Sequence, residues 1–147
     1  MQMNHDKHIA IDGIQFQADL KDIDASDMQG FFVDWPDPPS PERHLDILKA
    51  SHGIEIAVDT STGNVVGFIN VISDGCFSSY IPLLEVLPKY QGRGIARKLI
   101  RRIVARYANL YMLDLCCNED ITPVYASHGF LQVSGMAHRN FDRQSGT

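Results

Sequence analysis

The sequence predicts a mixed α/β (α+β) domain in which helices cover a largely antiparallel sheet. Three observations predict it. Two apolar runs, Ile54–Asp59 and Val65–Ser73, flank the turn segment Thr60-Ser61-Thr62-Gly63-Asn64 and read as a hairpin. Ile95, Leu99, Ile103 and Tyr107 recur at helical spacing, joined by Ala96, Ile100 and Val104. The strand-like and helix-like segments follow one another as β-α-α-β-β-β-α-β-α-β, an order that layers helices on one mixed sheet. A chain of 147 residues is long enough for one domain with a real core. Residues 1–147 therefore read as a single domain, with 1–12 and 141–147 expected to fray.

Ile14-Gln15-Phe16-Gln17-Ala18 alternates apolar and polar residues and predicts the first strand. Asp24–Val33 predicts a short helix with Met28, Phe31 and Phe32 on its apolar side. Asp34-Trp35-Pro36-Asp37-Pro38-Pro39 reads as a stiff loop, because three prolines exclude regular helix. Ser40-Pro41-Glu42 opens the next helix with a capping serine, a first-turn proline and an acid at the positive end of the dipole. Ser51-His52-Gly53 closes it. After the hairpin, Asp74-Gly75 turns the chain into a fourth strand, Tyr80–Leu87. The periodic helix spans Gly92–Ala108, a fifth strand Leu110–Cys116, and a short helix Asp120–His128, with Gly129 placed for a left-handed stop. Phe130–Met136 reads as a sixth strand.

Composition narrows the function. Hydrophobic residues make up 44% and charged residues 21%, the ordinary range of soluble globular chains. No stretch approaches the ~20 apolar residues of a membrane span, and the first residues show no apolar core of a signal peptide. Cys76, Cys116 and Cys117 have no metal-type spacing; they read as reduced thiols acting as small buried hydrophobes, so a cytoplasmic location is expected. The six histidines are scattered, no metal is expected, and His128 is placed at a helix end on the surface. The net charge of −5 argues against nucleic-acid binding, yet six of the 13 basic residues lie between Arg93 and Arg106 with no acid among them. Arg101, Arg102 and Arg106 read as a solvated helix face.

That basic stretch begins in Leu84-Glu-Val-Leu-Pro-Lys-Tyr-Gln-Gly-Arg-Gly-Ile-Ala-Arg-Lys-Leu-Ile100, where a strand passes through glycines into a helix. Gly92 and Gly94 let backbone approach a ligand, since no Cβ intervenes. The following helix leaves its first N–H groups without intrahelical partners, and its dipole adds positive potential. Arg93, Arg97 and Lys98 supply full charges. The expected ligand is a phosphate, pyrophosphate in particular. The phosphate-loop pattern GxxxxGK[ST] is absent, GxGxxG fails at Arg97, and no lysine-bearing strand follows as a kinase loop would require.

Gln91-Gly92-Arg93-Gly94-Ile95-Ala96 fits the pattern Q/R-x-x-G-x-G/A. Val86-Leu87-Pro88 precedes it, and Asn118 and Tyr125-Ala-Ser-His-Gly129-Phe130 follow. The combination resembles the GNAT superfamily of acyl-CoA-dependent N-acyltransferases, over roughly Ile54 to Val133. The resemblance implies a GNAT-like sheet of six or seven strands with helices on both faces, splayed between the fourth and fifth strands. It implies acetyl-CoA as co-substrate, with its pyrophosphate on Gln91, Gly92, Arg93, Gly94, Ile95 and Ala96; Arg97 is placed to add charge there. Val86 and Leu87 match the splayed strand that hydrogen-bonds pantetheine and polarises the thioester carbonyl. Tyr125 matches a tyrosine that protonates the leaving sulfur, or it is a half-buried core residue. Asn118 matches a cofactor contact, or it is a helix cap.

Glu85 stands out as a carboxylate in an apolar strand; it serves as base or acceptor contact, or pairs with an arginine. Asp114 is the weaker rival. Trp35 in the stiff loop and Asp74 after the third strand are the further acceptor-contact candidates, each with a purely structural alternative. These residues suit a primary amine of a small molecule or a lysine-like side chain, attacking the thioester directly in a ternary complex. A non-catalytic acyl-CoA sensor is the alternative, and a homodimer is left open.

Overall fold

The computed structural model describes residues 10–147; the expected fraying of 1–9 lies outside them. Six strands form the sheet: β1 (Ile14–Gln17), β2 (Gly53–Asp59), β3 (Val65–Ser73), β4 (Ser78–Ile81), β5 (Leu84–Val86) and β6 (Met112–Leu115). Three α-helices accompany them: α1 (Pro41–Ala50), α2 (Ile95–Arg106) and α3 (Thr122–Ala126). The order is β1-β2-β3-β4-β6, antiparallel except for the parallel β4–β6 pair, and β5 pairs with β3 beside β4. The expected mixed, mostly antiparallel sheet is therefore present.

Alternation along β2 assigns the two faces. Ile54, Ile56 and Val58 pack with α1 residues Leu45 and Leu48 and with Met28, Phe32 and Phe68. Ala57 turns the other way and packs with α2 through Leu99, Ile100 and Ile103. Gly67 on β3 is what allows α2 to approach, since an added Cβ would stand 3.2 Å from Ile95 and 3.3 Å from Val86. The Ser40 hydroxyl accepts from Arg43 N–H at 3.1 Å, which fixes the start of α1 as its sequence implies.

Several expectations are corrected. Asp24–Val33 is not a helix: a single 3-10 turn, Ala25–Asp27, is closed by a reciprocal bond pair between Asp24 and Asp27. Gly30, Phe32 and Asp34 then take positive φ, which helix does not tolerate. The expected strand Tyr80–Leu87 is split at Pro82-Leu83. The Asn70 side chain accepts from Leu83 N–H at 3.1 Å and donates to Ser51 at 3.0 Å, bridging the break.

Phe130–Met136 forms no strand; Leu131 is 87% exposed, and Val133 and Met136 are also exposed. The residues after Asn140, expected to fray, make a 3-10 turn at Phe141–Arg143, and Gln144 accepts from Asp37 N–H at 2.9 Å. The cysteines are exposed rather than buried, because they lie in the β3–β4 turn and beyond the end of β6. Arg102 and Arg106 are not a solvated face. They ion-pair Glu55, 3% exposed on β2, at 2.6 and 3.6 Å. A buried carboxylate is tolerated only with such partners. Among the described residues no helix is long and apolar enough to cross a membrane.

Candidate active site

The strand break creates the site. β6 pairs with β4, whereas β5 pairs only with β3. Among the described residues the outer edge of β5 therefore carries no strand. Leu87 N–H bonds Val66 carbonyl at 2.9 Å, so alternation along an antiparallel ladder turns the Val86 N–H to the open side. This narrows the expectation for the pair: Leu87 N–H is consumed by the sheet, and Val86 N–H is the donor facing the gap. The Gln91 side chain donates to Val86 carbonyl at 3.0 Å and ties the glycine loop to the same strand.

The loop has the geometry the glycines suggest. Gly92 and Gly94 have φ of 77° and 85°, and among the described residues no heavy atom beyond the chain neighbours lies within 4 Å of a Cβ built on Gly92. Gly94 is the N-cap of α2, so the helix begins at Ile95 rather than at Gly92. The N–H groups of the first α2 turn thus open onto the loop, a concavity suited to an anion. Arg93 reaches back to Asp12 carbonyl at 2.8 Å and lies over the Tyr90 ring. Arg97 bonds the Ser127 hydroxyl at 3.3 Å, linking α2 to the end of α3. Arg93, Arg97 and Lys98 line one groove of about 490 Å³ along α2.

Tyr125 is buried and packs edge-on against Phe130, with ring centroids 5.6 Å apart. Burial, reinforced by nearby Cys117, pushes its phenol up to about 12. It remains protonated at any ordinary pH and keeps a proton to donate. It lines a cavity of about 340 Å³ with Asp114, Cys116, Cys117 and Thr122. Asn118 sits at the start of the 3-10 turn Glu119–Ile121, but its side chain makes no capping bond.

Glu85 lies elsewhere, in a second cavity of about 300 Å³ with Asp34, Trp35, Val86 and Gln91. Its carboxylate is already engaged: Phe32 N–H donates to Oε1 at 2.7 Å and to Oε2 at 3.0 Å. Glu85 thus holds the Phe32–Trp35 loop over the β5 edge. A carboxylate has about four lone-pair positions, so outward positions remain for a cationic amine. Glu85→Ala is expected to orphan the Phe32 N–H, at about 1–3 kcal/mol. Denaturant unfolding of the variant against the wild-type chain should show that loss of stability.

Asp74 does not join this cavity. Its carboxylate accepts from the N–H groups of Phe77, Cys76 and Ser78 in the β3–β4 turn, which holds it far below the usual range. Trp35 does line the cavity and contacts Phe32 with centroids 5.0 Å apart.

Sequence reasoning missed His44. It is 1% exposed behind the Phe32–Trp35 loop, boxed by Phe31, Phe32 and Phe68 at centroid distances of 5.2, 4.8 and 4.3 Å. Among the described residues neither ring nitrogen has a hydrogen-bond partner, and burial lowers its pKa from 6.5 to about 4. The folded state therefore favours the neutral ring, and the unfolded chain binds the proton first. Stability contributed by the neutral ring is complete above 6.5 and is lost as pH falls towards 4, by roughly 3 kcal/mol. Denaturant unfolding across that range should show this decline, and His44→Phe should remove it.

A sheet opened beside one strand, with a glycine loop suited to an anion at its mouth, is the frame of a coenzyme A-type acyltransferase fold. The comparisons agree. The model of the acetyltransferase (GNAT) family matches residues 20–130, and the chain belongs to that family. It is 30% identical over 139 residues to N-alpha-acetyltransferase RimI of Mycobacterium tuberculosis, covering 91% of this chain and 85% of that protein. The crystal structure of a candidate acetyltransferase from Deinococcus radiodurans R1 superimposes with a TM-score of 0.90 at 36% identity, over 95% of this chain and 96% of that one. A GNAT-family acetyltransferase from Streptococcus pneumoniae TIGR4 gives 0.69 at 26% identity, over 86% and 98%. Membership supports acyl transfer in general; the family uses acetyl-CoA as co-substrate and acts on amine acceptors.

Proposed function

We propose that this chain moves an acetyl group from acetyl-CoA to a primary amine by direct attack within a ternary complex. The observation that carries the reading is the unpaired outer edge of β5, lying between the glycine loop and the Glu85–Trp35 cavity. In this reading the pyrophosphate rests on Gln91–Ala96, with Arg93 and Arg97 at its flank and Asn118 touching the cofactor. Pantetheine lies along Val86. Val86 N–H polarises the thioester carbonyl and stabilises the tetrahedral oxyanion, a contribution of roughly 100- to 1000-fold for one donor. The amine enters beside Trp35 and Glu85, losing its proton to Glu85 or to water. Tyr125 hydrogen-bonds the departing sulfur and protonates it as charge develops.

The acceptor is a cation carrying an apolar group, because the cavity joins Trp35 and Leu84 to Asp34 and Glu85. A small amine and a lysine-like side chain both satisfy that description, and the likeness to RimI adds peptide N-termini. The test is thiol release from acetyl-CoA across polyamines, amino acids, aminoglycosides, arylamines and short peptides. Turnover with one class supports acyl transfer. Calorimetric binding of acetyl-CoA with no release for any acceptor would favour the non-catalytic sensor instead.

A further inference from the structure

Cys116 and Cys117 follow β6 side by side and both line the 340 Å³ cavity, yet they face different neighbours. Cys116 lies against the C-terminal segment, with its sulfur 3.6 Å from the position of a Cβ on Gly135. The Cys117 sulfur lies 3.9 Å from the Thr122 hydroxyl. Thr122 and Tyr125 are three residues apart on α3, hence on one face of the helix. Both line the 340 Å³ cavity together with Cys117, which is exposed. A protein thiol therefore opens onto the cavity where Tyr125 stands. If Tyr125 protonates the coenzyme sulfur, that sulfur enters the cavity that Cys117 lines.

We propose that Cys117 is a thiol–disulfide exchange site for coenzyme A disulfide, and that the resulting mixed disulfide closes the acetyl-CoA site. The inference rests on the cofactor placement given above. The Cys117 thiolate attacks one sulfur of the symmetrical disulfide. The S–S bond breaks, a Cys117–coenzyme A bond forms, and the second coenzyme A leaves as a thiolate that takes up the proton lost by Cys117. The disulfide is itself the oxidant, so the exchange balances without another reactant. Selectivity comes from proximity: a disulfide held by the glycine loop presents its sulfur to Cys117 at high effective concentration. Cys76 is the internal contrast. It is also exposed, but the adjacent Asp74 raises its thiol pKa and disfavours the reactive thiolate.

The test treats the full chain with coenzyme A disulfide or with oxidised glutathione, followed by intact mass, peptide mapping and thiol-release activity. The expected result is one coenzyme A adduct on Cys117, formed at least about 10-fold faster than the glutathione adduct. Saturating acetyl-CoA should slow it. Cys117→Ser should abolish it, Cys76→Ser should not, and dithiothreitol should restore activity in step with adduct loss. A label on Cys76 or Cys116, equal rates for the two disulfides, or a Cys116–Cys117 disulfide in place of an adduct would overturn the proposal. The two readings fail separately. An adduct protected by acetyl-CoA, in a protein that acetylates nothing, supports the cysteine site and sinks acyl transfer. Turnover without an adduct sinks the cysteine site alone.

Discussion

Tyr125→Phe is expected to lower kcat by about 100- to 10,000-fold, the range for removing one general acid. The affinity for coenzyme A should hardly change, because the phenyl ring keeps the contact with Phe130 and only the hydroxyl is lost. The phenol's value of about 12 shapes the pH behaviour. In the proposed role so weak an acid would not surrender its proton ahead of C–S cleavage; it would transfer it as the sulfur becomes anionic. The wild-type pH–rate profile should therefore show no alkaline limb from Tyr125 below about pH 10. Single-turnover thiol release, with calorimetry for coenzyme A, separates the two effects. Equal single-turnover rates for Tyr125→Phe and wild type would remove the general-acid role.

The glycine loop carries the second large effect. Replacing both Gly92 and Gly94 by valine forces two β-branched residues into the left-handed region, at about 1–2 kcal/mol each or more. Space does not oppose the folded chain: a Cβ on Gly92 meets nothing within 4 Å, and one on Gly94 only Ile11 at 4.0 Å. That open space is where pyrophosphate would approach the backbone. The double variant should fold with lowered stability and bind acetyl-CoA at least about 100-fold more weakly, near 3 kcal/mol. Gly63→Val is the control. It carries a φ of 78° and open surroundings in the β2–β3 turn, so it should lose stability while keeping coenzyme affinity. Equal coenzyme affinity in the loop variant and wild type would displace the cofactor from this loop.

Legibility in the sequence followed the range of the interactions. The β2–β3 hairpin and α2 were readable because a five-residue turn and a 3.6-residue period are local signals. Gly129 was readable for the same reason, and it takes a φ of 90° as a helix stop. The false helix at 24–33 had the right apolar residues with the wrong backbone: Met28 and Phe32 are buried, but the Asp24–Asp27 bonds and the positive φ angles of Gly30 and Phe32 deliver them from a loop. Phe130–Met136 has the alternation of a strand, but pairing depends on an available edge, and that lies outside any local window. The split of the fourth strand did leave a trace, since Pro82 lacks a ladder donor and Asn70 is a polar residue in an apolar strand. Their meeting, through Leu83 N–H, is what only the fold reveals.

By itself, the sequence determined the layered α/β class and the glycine loop before a helix, and it named the candidate residues for coenzyme binding and acyl transfer. Each of these depends on neighbours within a few positions, or on a motif whose spacing is preserved in the chain. Tertiary structure alone decided which of those groups remain available. It directed Val86 N–H to the open edge while Leu87 N–H went into the sheet, engaged Glu85 with the Phe32 amide, and placed Asp74 inside its own turn. It also neutralised Glu55 with Arg102 and Arg106 and left both nitrogens of His44 without a partner. The reason is physical. A donor, acceptor or charge has a limited number of partners, and folding assigns them between residues that sequence order keeps far apart.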